Sequence, residues 1–124
     1  MNVVDSSGWL EYLANGSNAD FFAPAIEATE ALLVPTLSLY EVFKRVLQQR
    51  DEGVALQAVA LMQQGRVIEL SSALAFSVAR LGVQHRIPMA DSVILATART
   101  HGAVLWTQDS NFSGIPDVRY RAKA

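Results

Sequence analysis

The sequence contains no cysteine, which rules out a disulfide framework and any thiolate metal site and fits a reducing compartment. Histidine is almost as scarce. His85 and His101 are too isolated to make a ligand pair, and surface or capping roles are expected for both. No apolar run approaches membrane-spanning length, and Asp5 follows Met1 too closely for the basic and apolar regions of a signal peptide. A soluble, cytoplasmic protein with no membrane association is expected. Repeats, low-complexity tracts and linkers are missing too. The 124 residues, 51% of them hydrophobic, are expected to form a single domain over 1–124. The formal charge of -2 lacks the basic excess of a typical nucleic-acid-binding domain. Lys44, Arg45 and Arg50 cluster on one predicted helix, Arg80, Arg86 and Arg99 flank another, and Arg119, Arg121 and Lys123 lie near the end. Solvated helix faces and a frayed tail account for such groups more readily than a phosphate track.

What is present is an alternation of short apolar runs with helical spacing. Val3-Val4 ends at Asp5, and Ser6-Ser7-Gly8 leads into a helix through Trp9, Leu10 and Leu13. Asn15-Gly16-Ser17-Asn18 is turn chemistry, and Ala19 to Ala31 reads as a second helix with Pro24 at an early turn or a break. Leu32-Leu33-Val34 is a second strand. From Ser38, apolar residues recur at helical spacing through Leu39, Val42, Phe43, Val46 and Leu47. Glu52 to Gln64 forms a further helix stopped by Gly65. A third strand at Val67–Leu70 and a helix from Ser72 to about Gln84 follow.

Pro88 and Gly102 bracket the helix that organises the rest, whose middle, Ser92-Val93-Ile94-Leu95-Ala96-Thr97-Ala98, is apolar on nearly every side. Ala103–Trp106 is a fourth strand, and Val118–Arg121 a last edge strand. Strands alternating with helices predict an α/β fold with a mostly parallel sheet covered on both faces.

In such a sheet ligands bind along the edge where strands give way to helices. Asp5 and Asp109 follow two strands, Glu41 opens the helix after a third, and Asp91 opens the enclosed helix. Each acid has a local explanation. Asp5 can cap the first helix. Glu41 lies three residues after Ser38, the spacing of a capping box, and can pair with Lys44 or Arg45. Asp91 complements a helix dipole, and Asp109 suits an Asx turn. Capping does not explain why all four occupy equivalent places on one edge. Carboxylates within about 4–6 Å raise one another's pKa, so such a cluster calls for a cation. Oxygen ligands without cysteine or clustered histidine suit Mg²⁺ or Mn²⁺. Such a site suits phosphodiester hydrolysis, in which two ions about 4 Å apart stabilise the entering and leaving oxygens.

On Val3-Val4-Asp5-Ser6-Ser7, Ser38-Leu39-Tyr40-Glu41-Val42, Pro88-Met89-Ala90-Asp91-Ser92 through Ala98, and Leu105-Trp106-Thr107-Gln108-Asp109-Ser110-Asn111-Phe112, the chain resembles PIN-domain nucleases. Within them it is most similar to the VapC toxin family of bacterial toxin–antitoxin pairs. The resemblance implies a three-layer α/β/α PIN-like fold with a four- or five-stranded sheet. It also implies a Mg²⁺-dependent endoribonuclease with Asp5, Glu41, Asp91 and Asp109 as the catalytic, metal-holding acids and Ser6 and Thr107 in support. A homodimer, an RNA substrate and a VapB-like antitoxin that blocks the pocket, often with an arginine, are implied with it. Asn111 departs from the pattern, since many relatives carry a further acid there.

Two other readings compete. A haloacid-dehalogenase-like phosphatase also places an aspartate after its first strand, but it wants a second aspartate two positions on, where Ser7 stands. A non-catalytic PIN-like scaffold that only binds a partner would use the acids as caps.

Overall fold

The computed structural model describes residues 1–124. Its sheet is built from β1 (Asn2–Val4), β2 (Leu32–Pro35), β3 (Arg66–Ile68), β4 (Val104–Thr107) and β5 (Val118–Tyr120). They lie in the order β3-β2-β1-β4-β5, and every pairing is parallel. The helices between them are α1 (Ser6–Leu13), α2 (Ala19–Glu27), α3 (Thr36–Gln49), α4 (Glu52–Met62), α5 (Ser72–His85) and α6 (Met89–Thr100). No helix is long and apolar enough to cross a membrane.

The period-2 alternation of strand side chains sorts the core into two layers. Val4, Leu32, Val34 and Trp106 face one side and pack with Trp9, Phe22, Val42, Ala55 and Met62 from α1 to α4. Val3, Leu33 and Leu105 face the other and meet Ile94, Leu95 and Ala98 of α6, with Leu74 and Val78 of α5 packed outside them against Val93 and Ala96. The result is the expected α/β/α sandwich. Seven consecutive residues of α6, Ser92 to Ala98, are buried, because α6 is enclosed between the sheet, α3 and α5. Its polar members are satisfied internally: Thr97 Oγ1 donates to the Val93 carbonyl at 2.8 Å, and Ser92 Oγ donates to that of Pro88 at 2.9 Å.

Several local expectations are corrected. α2 ends at Glu27, and Thr29–Ala31 is a separate 3-10 turn. Pro24 sits inside α2 on its exposed side, where losing one backbone donor costs least. α3 starts at Thr36, with Pro35 as its N-cap. Ser38 is therefore a fully buried helical residue whose hydroxyl has no partner, and it makes no capping box with Glu41. Leu47 is exposed, since the inward face of α3 runs through Ser38, Val42 and Val46. Gly65 lies beyond the cap of α4 at Gln63. A Cβ there would stand 2.9 Å from the Leu32 carbonyl oxygen, so its small size lets the chain pass β2 on its way into β3.

His101 Nδ1 donates to the Thr97 carbonyl at 2.9 Å as α6 ends, the expected capping role. His85 Nε2 is enclosed without a partner rather than on the surface. Part of the tail is tied down. Arg119 stacks over Trp106 at 4.7 Å and Arg121 over Phe21 at 4.8 Å, and Asn18 Nδ2 donates to the Ala122 carbonyl at 3.0 Å.

Candidate active site

All five strands point their carboxyl ends to one edge. The chain visits β2 and β3 on one side of β1 before crossing to β4 on the other, so the switch point of the sheet lies between β1 and β4. Asp5 leaves β1 there, and Thr107 ends β4 beside it. α6 runs back toward the start of β4 and so presents its first turn, with Asp91, to the same edge.

Asp5 is 3% exposed. Its Oδ1 caps α1 by accepting from the Gly8 amide at 2.9 Å, and its Oδ2 accepts from the Thr107 hydroxyl at 2.7 Å. The Ser7 hydroxyl donates to the same carboxylate at 2.9 Å. The Gly8 amide gets this close because α1 packs flush against the strand: a Cβ on Gly8 would stand 2.6 Å from the Phe22 ring and 2.7 Å from Val4. Burial nevertheless outweighs the three donors, and with repulsion from Asp109 it pushes the Asp5 pKa from 3.8 up to about 6.

The remaining acids gather around this centre through short links. Thr107 Oγ1 also accepts from the Asp109 amide at 2.9 Å. Asp109 Oδ1 in turn caps a 3-10 turn, Ser110–Phe112, by accepting from the Asn111 amide at 2.9 Å, which is the expected Asx geometry. Asn111 Nδ2 donates to Asp91 Oδ2 at 2.9 Å. Glu41, half-buried on α3, accepts at Oε1 from the Ser6 hydroxyl at 2.6 Å. Lys44 turns instead to Tyr40, 5.6 Å from its ring centroid. Asp91 is held above its ordinary pKa mainly by burial, with Asp109 and Glu41 repelling it.

The four acids thus feel one another electrostatically, and Ser6 and Thr107 each touch one of them. No three carboxylates close around a single point. Hydroxyl and amide groups stand between them: one string of hydrogen bonds runs from Asp5 through Thr107, Asp109 and Asn111 to Asp91, and Ser6 holds Glu41 separately. The donor set is all oxygen and mutually repelling, which is the chemistry a hard divalent cation answers.

Two residues of this edge escaped the sequence reading. Gln108 is buried, accepts from Asn18 Nδ2 at 3.0 Å and donates to the Ser7 carbonyl at 3.3 Å. Asn18, equally buried, thereby ties the start of α2 to the β4 exit. Their only sequence signal was a pair of amides in turn-like surroundings. Beside the acids, a cleft of about 520 Å³ runs between α1, α3 and α4 and touches the site at Ser7 and Gln108. Its floor includes Leu10, Val46 and Ala58, and it brings Arg45 and Arg50 together with Lys123.

The model of the PIN domain family matches residues 3–118. Ribonuclease VapC4 of Mycobacterium tuberculosis is 32% identical in an alignment of 93 residues that covers 68% of this chain and 72% of that protein. A toxin–antitoxin complex from Klebsiella pneumoniae contains a chain with a TM-score of 0.80 and 21% identity, covering 95% of both chains. VapC20 of Mycobacterium tuberculosis, a sarcin–ricin loop cleaving toxin, gives 0.76 and 17% over 94% of this chain and 95% of that one. At those identities the two structures establish the fold.

Proposed function

Because the chain belongs to the PIN-domain family, and to the VapC ribonucleases within it, we propose that it is the toxin of a toxin–antitoxin pair. Its activity is hydrolysis of RNA phosphodiester bonds at the Asp5 edge of the sheet. The observation that carries this reading is the Asp5–Thr107–Asp109 linkage, a buried carboxylate bound on one side and repelled on the other.

Asp5, Asp91 and Asp109 would hold a divalent cation, Mg²⁺ or in its place Mn²⁺, with Glu41 beside them. That ion supplies Lewis-acid activation of water and neutralises phosphate charge. Thr107 orients Asp5 by donating to one oxygen, and the Gly8 amide fixes the other. Ser6 restrains Glu41, which would take a proton from the attacking water. Burial of Asp5 excludes solvent from one wall of the site. The phosphatase alternative loses support here, because Ser7 stands where that chemistry wants a second aspartate, and its hydroxyl is committed to Asp5.

The partner is an antitoxin, VapB-like as in the VapBC complex of Rickettsia felis that shares this fold. The apolar-floored cleft with Arg45, Arg50 and Lys123 is suited to one of its segments. A homodimer fits the exposed Phe76 and Val83, seven residues apart on α5, and the exposed Met89. The protein acts in the cytoplasm, where its substrate is.

Incubating the purified protein and its Asp5→Asn and Asp91→Asn variants with RNA in Mg²⁺ tests the reading. The parent is expected to cleave, and the variants to fall at least ~10³-fold below it. Cleavage that survives EDTA, or equal rates in all three, overturns the metal nuclease and favours the non-catalytic scaffold or a contaminant.

A further inference from the structure

Two aromatic side chains stand well out into solvent, Tyr40 at 57% exposure and Phe76 at 64%. Phe76 sits in the second turn of α5, whose far end is the one that leads to Asp91. Tyr40 directly precedes Glu41 on α3. Other rings of the acidic edge are already taken: Trp106 and Phe21 lie under Arg119 and Arg121, and Phe112 is fully buried. Tyr40 is thus the open aromatic surface next to the acids.

Lys44 gives that surface a companion charge. At about 100° per residue around a helix, it falls between Tyr40 and Glu41, one turn further along α3. Its Nζ donates to the Tyr40 hydroxyl at 3.4 Å yet stands 5.6 Å from the ring centroid. Those two distances place the ammonium off the hydroxyl end of the ring rather than over its middle, so it does not cover the flat faces. Glu41 in turn lies near enough to Asp91 to repel it. A singly exposed ring is ordinary on a protein surface. A ring and a cation on the stripe that leads to an acid of the site match the two parts of a nucleotide, a flat base and a negative phosphate.

Building on the nuclease reading, we propose that Tyr40 receives an unpaired base of the RNA substrate by stacking and that Lys44 holds a phosphate of the same strand. The subsite therefore selects single-stranded RNA over duplex, whose bases stay stacked on one another. Tyr40 and Lys44 act in binding and take no part in the chemistry.

Fluorescence anisotropy with labelled single-stranded and duplex RNA tests this on the full chain in EDTA, where metal-dependent cleavage stops. The parent is expected to prefer the single strand. Tyr40→Ala should lose about 5- to 100-fold in affinity for it and nothing for duplex, while Tyr40→Phe keeps most of the affinity. Lys44→Gln should weaken both RNAs and lower the salt slope by about one. In Mg²⁺, Tyr40→Ala should raise KM and leave kcat near that of the parent. A parent with no preference for single strands overturns the inference, whatever the variants do. Unchanged affinity in a folded Tyr40→Ala also overturns it, and a shift in oligomeric state alongside would assign the ring to a protein interface. Equal losses in Tyr40→Phe and Tyr40→Ala would credit the hydroxyl and overturn stacking. In each of these cases cleavage by the parent leaves the nuclease reading standing. A parent that neither binds nor cuts RNA overturns both together.

Discussion

The two halves of the acidic edge solve the same electrostatic problem in opposite ways. The inner half is Asp5, sealed from water and served by donors from Ser7, Gly8 and Thr107. The outer half is Asp91, Asp109 and Glu41, all partly exposed, each with a single hydrogen-bond donor from Asn111 or Ser6. Water reaches the outer side chains, although burial still holds the Asp91 carboxyl above its usual range. The inner charge is disfavoured even with three donors, as its pKa of about 6 records. Depth of burial, rather than the number of hydrogen bonds, separates the halves, and the call for a cation is strongest at the enclosed Asp5.

The sharpest way to break this comparison is through stability rather than activity. Asp5 holds its proton up to about pH 6 in the folded protein but only to about 3.8 when unfolded. Its favourable contribution is complete below pH 3.8 and is lost as pH rises through 6. In EDTA at pH 7.5, Asp5→Asn should therefore be more stable than the parent by up to about 3 kcal/mol, converging with it near pH 4. Magnesium should erase the difference above pH 6 by stabilising the parent alone. Thermal melts across pH check this, and a variant less stable than the parent at pH 7.5 would contradict a strained inner half.

Thr107→Val sharpens the same point with a smaller effect. It removes the donor to Asp5 and the acceptor of the Asp109 amide while keeping the shape. A loss of about 1–3 kcal/mol is expected. Urea unfolding should show a larger loss at pH 8 than at pH 5, because the lost bond supports the charged carboxylate. Equal losses at both values would mean that Thr107 serves packing alone. Smallest of all, Arg121→Ala removes only the stacking over Phe21 and should cost about 0.5–1 kcal/mol, with no dependence on metal. A metal-dependent loss would show that the tail belongs to the site.

Much of this arrangement was legible in the sequence because it follows from periodicity. Alternating runs gave the α/β/α layers, and the unbroken apolar stretch from Ser92 to Ala98 marked α6 as enclosed, as all seven are. The four acids stood out because parallel strands send all their carboxyl ends to one edge. What stayed hidden depends on contacts between distant residues. Gln108 and Asn18 are 90 positions apart and look like turn residues until the fold pairs them. Arg119 and Arg121 read as solvated until Trp106 and Phe21 come beneath them. Ser38 was misjudged because its spacing to Glu41 matches a cap, whereas Pro35 had already started the helix a turn earlier.

The first strand occupies the middle of the sheet, between one neighbour made soon after it and another made some 100 residues later during synthesis. Asp5 and Thr107 are 102 residues apart, so nothing resembling the finished centre can exist on a nascent chain until almost all of it has left the ribosome. Chains interrupted before β4 lack Thr107 and Asp109 and cannot assemble this edge. On the nuclease reading, activity would begin only with chains long enough to carry both ends of that contact, and the timing of its onset would be set by the last strands rather than the first.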